Sequence, residues 1–214
     1  MNALWPWLTL ALLGAYHGIN PAMGWLFAVA LGLQERRRVA VVRAFAPIAL
    51  GHAVSVAAVV ALIGAAQALV DLGVLRLIGA AALVIFGLYK LLAPMSHPRW
   101  VGMRVNFRDL TAWSFLMATA HGAGLMVVPV FVGMSMAAGG EHMHHHMHAA
   151  PGTNVGAALI ATSLHAASYL AVTAGVAVIV FDRLGVGILR RVWLNLDLVW
   201  AAALVVTGGV TLVM

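Results

Sequence analysis

Four histidines lie deep inside long apolar stretches of the sequence, where an ionisable side chain is costly and usually serves a function. They are His17, His52, His121 and His165. Neutral imidazole binds nickel, cobalt, zinc and copper(II) ions, and its ordinary pKa of about 6.5 lets protons compete with a metal for the same nitrogen. The four histidines therefore predict a metal or proton site. Structural hydrogen bonds between helices and haem ligation are the alternatives.

Other residues close to these histidines in the sequence, Asn20 among them, could complete such a site. Ser55 and Ser168 each follow a histidine by three residues, on the same face of a helix. A serine hydroxyl there could hold a water molecule or bond to its own helix backbone. Met23 and Met126 follow histidines by six and five residues, and thioether ligands would favour copper(I), although methionine is also a common core filler.

The residues after the first histidine predict an interruption of its helix. His17 is followed by Gly18, Ile19, Asn20 and Pro21. Proline removes a backbone donor and disfavours helix at the preceding residue, so Asn20 is expected at a plain kink or at a true break that frees backbone carbonyls. The second half repeats this only in part, because glycine follows His121 but the next proline is Pro129.

A short histidine-rich tract forms a second candidate metal site. It consists of Glu141, His142, Met143, His144, His145, His146, Met147 and His148. Such tracts are typical of metal binding, and the glycines and proline around it favour a mobile loop over about 138–152. We interpret it as an accessory metal-capturing loop, with a plain polar loop as the alternative.

The composition indicates what must position these residues. Of 214 residues, 64% are hydrophobic and only 8% are charged, against roughly 25% charged residues in soluble domains. This excludes an ordinary soluble enzyme, a disordered chain and a fibrous one, and the lack of cysteine excludes disulfides and thiolate ligands. We predict an all-α, polytopic membrane protein with a single membrane domain over 1–214. Six stretches are long enough to span a bilayer: 3–32, 44–66, 72–93, 110–137, 154–181 and 192–213.

The basic residues predict how these spans are oriented. Eleven of the twelve fall in or beside the first, third and fifth connections, and Arg76 is the exception. The eleven are Arg36, Arg37, Arg38, Arg43, Lys90, Arg99, Arg104, Arg108, Arg183, Arg190 and Arg191. Because positive residues stay cytoplasmic, both termini and the histidine-rich loop are expected outside the inner (plasma) membrane. We attribute the basic residues to topology, so no nucleic-acid partner is expected.

The chain also contains an internal repeat, with one half over about 3–93 and the other over about 110–213. Three short patterns recur in order: His-Gly at 17–18 and 121–122, His-Ala-x-Ser at 52–55 and 165–168, and Ala-Ala-Ala-Leu-Val at 80–84 and 201–205. Since each half has three spans, the second half would cross in the opposite orientation. That is the three-plus-three inverted repeat of many transporters, which bind substrate near the midplane between the repeats.

Asp197 is the one acidic residue that falls well within a predicted span. An intramembrane acid is a functional candidate. An ion pair at the cytoplasmic interface with Lys90, Arg190 or Arg191 is the simpler interpretation. Asp71, Asp109 and Asp182 are interpreted as loop or cap residues.

These patterns resemble a known family. The six spans, the repeat, His-Gly-x-Asn-Pro from His17 to Pro21, Gly-His-x-x-Ser from Gly51 to Ser55 and the histidine-rich loop are similar to the lysine-exporter (LysE) superfamily, most of all to its nickel/cobalt efflux (NicO-like) branch. The resemblance implies a small exporter of metal ions, or of amino acids in other branches. That branch commonly has an acidic residue one turn after the first histidine, where this chain has Ala22.

Taken together, the sequence predicts a proton-coupled efflux transporter of a divalent transition metal, with the metal as substrate, no organic cofactor and no enzymatic activity. The partners expected are the lipid bilayer, the metal ion and protons, and a homodimer stays open. Two alternatives also stay open. One is a membrane redox protein or enzyme with a histidine-bound metal or haem, and the other is a proton-coupled exporter of a small organic solute.

Overall fold

The computed structural model describes residues 4–67, 69–92, 106–141, 155–184 and 196–213, without the side chains of 135–141, 155, 184 and 196–200. These residues form eight α-helices and no strand, which confirms the all-α prediction. The helices are α1 (Trp5–Ile19), α2 (Trp25–Glu35), α3 (Arg38–Ala66), α4 (Leu72–Leu92), α5 (Phe107–Ala120), α6 (Ala123–Glu141), α7 (Val155–Ile179) and α8 (Leu196–Val213). A 3₁₀ turn (Pro21–Met23) joins α1 to α2, and a π turn (Val180–Leu184) ends α7.

Three helical segments, Arg38–Ala66, Leu72–Leu92 and Gly156–Arg183, are long and apolar enough to cross a membrane. The pair α5 and α6, bent by 59°, would make a fourth span if its two helices are taken together. At 15 and 11 residues, α1 and α2 are each too short to cross alone. The structure is therefore compatible with a multi-pass membrane protein.

The first predicted span is broken rather than kinked. Its first helix ends at Ile19, and the Asn20 side-chain oxygen accepts a hydrogen bond from the N–H of Ala22. The Trp25 indole N–H reaches back across the break and donates to the carbonyl of Ile19 at 2.8 Å. Two side chains thus satisfy backbone groups that a continuous helix would have paired internally.

One of the two alternatives for this region was a break that frees backbone carbonyls near Gly14 to His17. The carbonyl of His17 instead accepts a hydrogen bond from the N–H of Asn20 at 3.2 Å. Together with the capping of Ile19 by Trp25, this means that local bonds take up both carbonyls. Each of these two carbonyls therefore already accepts one hydrogen bond, so the break leaves neither of them without a partner.

The second break lies between α5 and α6, immediately after His121. Gly122 has a φ of +68°, a conformation that glycine adopts at little cost. The later proline, Pro129, lies inside α6 without ending it. The break after His17 thus contains Pro21 and also Gly24, whose φ is +127°, whereas the break after His121 contains Gly122 and no proline.

Hydrogen bonds between helices fix the relative directions of two pairs. From α7, the His165 ring bonds the carbonyl of Leu10 and the Tyr169 hydroxyl bonds the carbonyl of Met23, so α1 and α7 run parallel. Likewise Ser114 of α5 bonds the carbonyl of Ile48, and Thr119 bonds Ser55, so α3 and α5 run parallel.

Small residues bring α4 and α8 together in a reciprocal crossing. A methyl group on Gly87 would lie 3.0 Å from the carbonyl oxygen of Ala201, and one on Gly208 would lie 2.9 Å from that of Ala80. Ala201 follows Ala80 by 121 residues, and Gly208 follows Gly87 by the same number. This is also the distance along the chain between the two Ala-Ala-Ala-Leu-Val patterns. The two helices therefore contact each other through equivalent residues, and they run antiparallel.

Charged residues gather at one end of the described bundle. Arg38 at the start of α3 pairs with Asp182 after the end of α7, at 3.4 Å, and α5 starts at the same end because it runs parallel to α3. We call this the basic end, and it carries Arg36, Arg37, Arg38, Arg108 and Arg183. Asp109 completes a capping box with Asn106, and Asp71 accepts from Gly73, as expected of cap residues.

Candidate functional site

Three of the four predicted histidines meet inside the helix bundle. The ring centres of His17 and His165 lie 5.1 Å apart, those of His52 and His165 lie 5.6 Å apart, and those of His17 and His52 lie 5.7 Å apart. All three side chains are fully buried. We call them the three-histidine cluster, which is built by α1, α3 and α7.

The spacing of these rings suits a shared ion. With metal–nitrogen bonds of about 2.0–2.1 Å and tetrahedral angles, the centres of three coordinating imidazole rings would lie about 5 Å apart. The observed spacings of 5.1–5.7 Å are close to this value. The backbone therefore already holds the rings at the separation that a three-histidine site needs.

The hydrogen bonds also define the chemistry of the ring nitrogens. Nδ1 of His17 lies 2.7 Å from the carbonyl of Leu13, and Nδ1 of His165 lies 3.2 Å from that of Leu10. A carbonyl can only accept, so Nδ1 carries the proton in both rings and Nε2 carries the lone pair when the ring is neutral. Neither nitrogen of His52, nor Nε2 of His165, has a hydrogen-bond partner among the described residues.

The ring orientations, in contrast, are not those of a bound metal. No group of three or more His, Cys, Asp or Glu side chains in the described ranges is arranged to hold an ion. His52 and His165 are stacked with only 11° between their planes, so their in-plane nitrogens do not converge on one point. Coordination would require these rings to turn about their side-chain bonds.

The fourth predicted histidine, His121, lies beside the cluster at the break between α5 and α6. It is 2% exposed and within electrostatic range of His17. Its Nδ1 bonds the carbonyl of Met117 at 2.9 Å, as that of His17 bonds the carbonyl of Leu13. His17 and His121, which share the His-Gly pattern of the predicted repeat, thus each bond the carbonyl four residues earlier.

Tyr169 belongs to the site but was not predicted. Its ring stacks on that of His52 with the centres 3.8 Å apart, and its hydroxyl donates to the carbonyl of Met23 in the break. It follows His165 by four residues, so it lies one turn away on the same helix face. That spacing was the one available signal, but a tyrosine in an apolar helix is usually interpreted as packing.

The two predicted serines take different places. Ser55 bonds Thr119 of α5 at 2.9 Å, so it links two helices rather than bonding its own backbone. Ser168 lies at the crossing of α1 and α7, where its Cβ would be 3.1 Å from a methyl group on Gly14.

The remaining predicted neighbours lie in or near the apolar core. Met23 and Met126 are 2% and 1% exposed and belong to the larger apolar cluster, and Met23 contributes its carbonyl to the site through Tyr169. Asn20 is 4% exposed, and its Nδ2 has no hydrogen-bond partner in the part of the chain that is described.

Buried residues enclose the three-histidine cluster along the helices. Ile48 and Tyr169, one turn from His52 and His165 on one side, belong to the larger apolar cluster. Val56 and Ala161, one turn away on the other side, belong to a second apolar cluster together with Leu10 of α1. Buried side chains therefore cover the histidines on both sides. The side of Val56 and Ala161 is apolar, whereas the side of Ile48 also carries the buried hydroxyl of Tyr169.

For two of the predicted features, the functional side chains are not among those that the structure describes. Glu141 ends α6 and its side chain is not described, and residues 142–148 of the histidine-rich tract lie outside the described residues. Asp197 lies in the first turn of α8, also without a described side chain. The side chains of Glu35, Asp71, Asp109 and Asp182 are described, and all four are exposed.

Comparison with known proteins found no matching family model, no matching curated protein and no matching solved structure. The functional argument for this chain therefore depends on its own residues and their geometry.

Proposed function

We propose that this protein is a membrane transporter of a divalent transition-metal ion of the nickel, cobalt, zinc and copper(II) class. The three-histidine cluster is the transport site, with His121 beside it. The observation that carries the proposal is the meeting of three fully buried imidazoles, 5.1–5.7 Å apart, on three apolar helices. The ion is the substrate, and transport requires neither a chemical step nor an organic cofactor.

The state of the ring nitrogens supports binding over a structural role. A buried polar atom without a partner costs about 1–3 kcal/mol, so a purely structural histidine normally has its hydrogen bonds made. His52 makes none among the described residues, and His165 leaves its Nε2 unpaired there. An ion that bound to these atoms would recover that cost.

The surroundings support transient rather than permanent binding. Every acidic side chain that is described is exposed, so none of them neutralises an ion at the cluster. Three neutral ligands leave the charge of a divalent ion uncompensated, which makes an intramembrane site costly to keep filled. Buried side chains on both sides fit a cargo site that is closed off before the ion is released.

The arrangement of the helices supports an inverted repeat of six spans. In this arrangement α1 with α2 corresponds to α5 with α6, α3 corresponds to α7, and α4 corresponds to α8. A two-fold axis would then relate the contact of α1 with α7 to the contact of α5 with α3, and both of these pairs are parallel. The same axis would map the crossing of α4 and α8 onto itself, in keeping with its reciprocal glycines. Transporters built this way bind substrate between the repeats.

The distribution of basic residues supports an orientation in the membrane, and the resemblance supports a direction of transport. We assign the basic end to the cytoplasm of the inner membrane, with both termini and the histidine-rich loop outside. The resemblance to nickel/cobalt efflux proteins favours export, and protons would compete with the ion for the same nitrogens. The histidine-rich loop would then bind ions on the outer side.

Calorimetric titration of nickel, cobalt and zinc into the purified protein tests the transport site. The loop 141–148 is deleted first, so that it does not bind the added metal. We expect one site per chain, with affinity lowered at least about ten-fold by His165→Ala and further by acidification from pH 7.5 to 5.5, because each lost ligand or added proton removes a metal–nitrogen bond.

His97→Ala is the matched control, since the sequence places this histidine outside the predicted spans. Its affinity should equal that of the loop-deleted parent. Equal affinity in the His165→Ala variant would contradict the proposal. A visible absorption band in the purified protein would favour the haem alternative instead.

A further inference from the structure

We propose that Asn20, Tyr169 and Thr173 line a water-bearing path that connects the three-histidine cluster to the basic end. This inference deepens the proposed function and depends on it, because it assigns the route by which a hydrated cation reaches the site from that end. The path carries hydroxyl and amide groups, which contact a hydrated ion without replacing its inner water molecules, whereas the imidazole nitrogens of the cluster would replace them.

The first observation is a row of polar side chains on the buried face of α7. His165, Tyr169 and Thr173 follow each other at intervals of four residues, and all three are fully buried. At 1.5 Å per residue, each interval advances about 6 Å along the helix. The row therefore starts at the cluster and reaches about 12 Å towards the end of α7 that carries Arg183.

The second observation is that this region holds buried polar atoms that lack hydrogen bonds. Oγ1 of Thr173 makes no hydrogen bond of normal geometry to the described residues, although it lies near the Tyr169 hydroxyl, and Nδ2 of Asn20 makes none either. Buried polar groups in proteins are nearly always paired with protein or ordered water. Water molecules at these two positions would satisfy both atoms.

The third observation places the two atoms on one route. A methyl group on Gly18 would lie 3.0 Å from the backbone nitrogen of Thr173, so the end of α1 runs directly beside this part of α7. The Tyr169 hydroxyl bonds the carbonyl of Met23, three residues after Asn20. The break between α1 and α2 and the polar row of α7 thus form two walls of the same region.

The opposite side of the cluster offers no comparable row on α7. Ala161, one turn before His165, is fully buried and belongs to the second apolar cluster. Ala177, one turn beyond Thr173, is fully buried and belongs to the larger apolar cluster, as do Val29 and Val41. The path is therefore shut at its mouth in this structure, and it would fill from the basic end when these three residues separate.

Cysteine labelling tests the path directly, because the chain contains no cysteine of its own. Thr173→Cys and Ala161→Cys each place one thiol on the buried face of α7, on opposite sides of His165. A charged, membrane-impermeant thiol reagent is applied to the basic end in oriented vesicles. We expect Thr173→Cys to react at least about ten-fold faster than Ala161→Cys, because only a hydrated thiol ionises and reacts.

The outcomes separate the path from the transport site. Equal, slow labelling of both cysteines would overturn the path while leaving metal binding by the histidines untouched. If His165→Ala binds the added metal as tightly as its parent in the titrations, the transport site is overturned, whatever the labelling shows.

Transport rates give a second readout of the path. Thr173→Val should slow transport several-fold. Thr211→Val should not, because Thr211 is a buried threonine whose hydroxyl bonds its own helix. Equal rates in these two variants would also contradict the path.

Discussion

Tyr169 joins the broken first helix to the three-histidine cluster through two different contacts. Its ring covers the face of His52, and its hydroxyl satisfies the carbonyl of Met23 in the 3₁₀ turn. The ring contact restricts where His52 can move, whereas the hydroxyl holds the turn against α7. Any rotation of the histidine rings towards an ion therefore has to be accommodated by the stacked tyrosine.

Removing only the hydroxyl separates these two contacts. We expect Tyr169→Phe to keep the stack on His52 but to lower the free energy of unfolding by about 1–3 kcal/mol, because the buried carbonyl of Met23 loses its partner. Titration with an unfolding detergent in mixed micelles measures this loss. Tyr89→Phe is the matched control, because Tyr89 lies 56% exposed on α4 and should change little. Equal losses in the two variants would contradict this role of the hydroxyl.

At this scale the sequence predicted the residues better than their contacts. Four histidines stand out because imidazole is rare and costly in apolar spans, and three of them meet. Tyr169 was not predicted to belong to the site, because an aromatic residue is common in apolar helices. The link from Ser55 to Thr119 was also missed, since the rotation of one helix against another cannot be obtained from one helix alone.

Among the elements, α4 and α8 show most clearly how small residues position this bundle. Without a hydrophobic driving force between helices in lipid, close contact depends on van der Waals packing over small side chains. Gly87 and Gly208 let each helix approach the backbone of the other, and their reciprocal placement makes the two sites equivalent. A change at either glycine should therefore have the same effect.

Alanine at these positions tests the crossing. A methyl group on Gly208 would lie 2.8 Å from Cγ2 of Val84, and one on Gly87 would lie 2.7 Å from Cγ2 of Val205. We expect Gly208→Ala and Gly87→Ala each to lower stability by about 1–3 kcal/mol through overpacking, as measured by thermal unfolding in detergent. The double variant should lose less than the sum, because both changes separate the same two helices.

The neighbouring Gly209 provides the matched control. A methyl group there would meet nothing within 4 Å, so Gly209→Ala should be neutral or slightly stabilising through its better helix propensity. If Gly209→Ala destabilises the protein as much as Gly208→Ala, the crossing does not depend on close approach. A Gly87→Ala variant as stable as the parent would show that the two sides are not equivalent.

The breaks in the first and fourth predicted spans were foreseeable to different degrees. Pro21 predicts the first break from the sequence, because proline cannot supply a backbone N–H to the helix. At the second break, only the backbone reveals that Gly122 takes a positive φ while the later Pro129 stays inside a helix. Local sequence predicts a break where a residue forbids helix, and not where a glycine merely allows one to end.

For the whole molecule, the alternation of charge and the directions of the helices support the same topology. The parallel pairs α1–α7 and α3–α5 and the antiparallel pair α4–α8 have the directions that the proposed six-span arrangement requires. Of the basic residues that are described, only Arg76 lies near the end opposite to the basic end. The proposed arrangement of two oppositely oriented halves requires both termini to lie on the side away from the arginines.

Reporter fusions test this requirement, and the charges predict how the topology can be changed. A C-terminal alkaline phosphatase, which is active only outside the cytoplasm, should be active when fused after Met214 and inactive when fused in the connection that carries Arg99 and Arg104. Replacing Arg36, Arg37 and Arg38 by glutamine should lower the activity of the C-terminal fusion, because the first connection then loses most of the charge that retains it. A fusion after Met214 that is inactive in the unaltered chain would imply an odd number of spans or an inverted orientation. An odd number of spans would remove the two-fold relationship on which the proposed site between the repeats depends, whereas an inverted orientation would overturn only the assignment of the basic end to the cytoplasm.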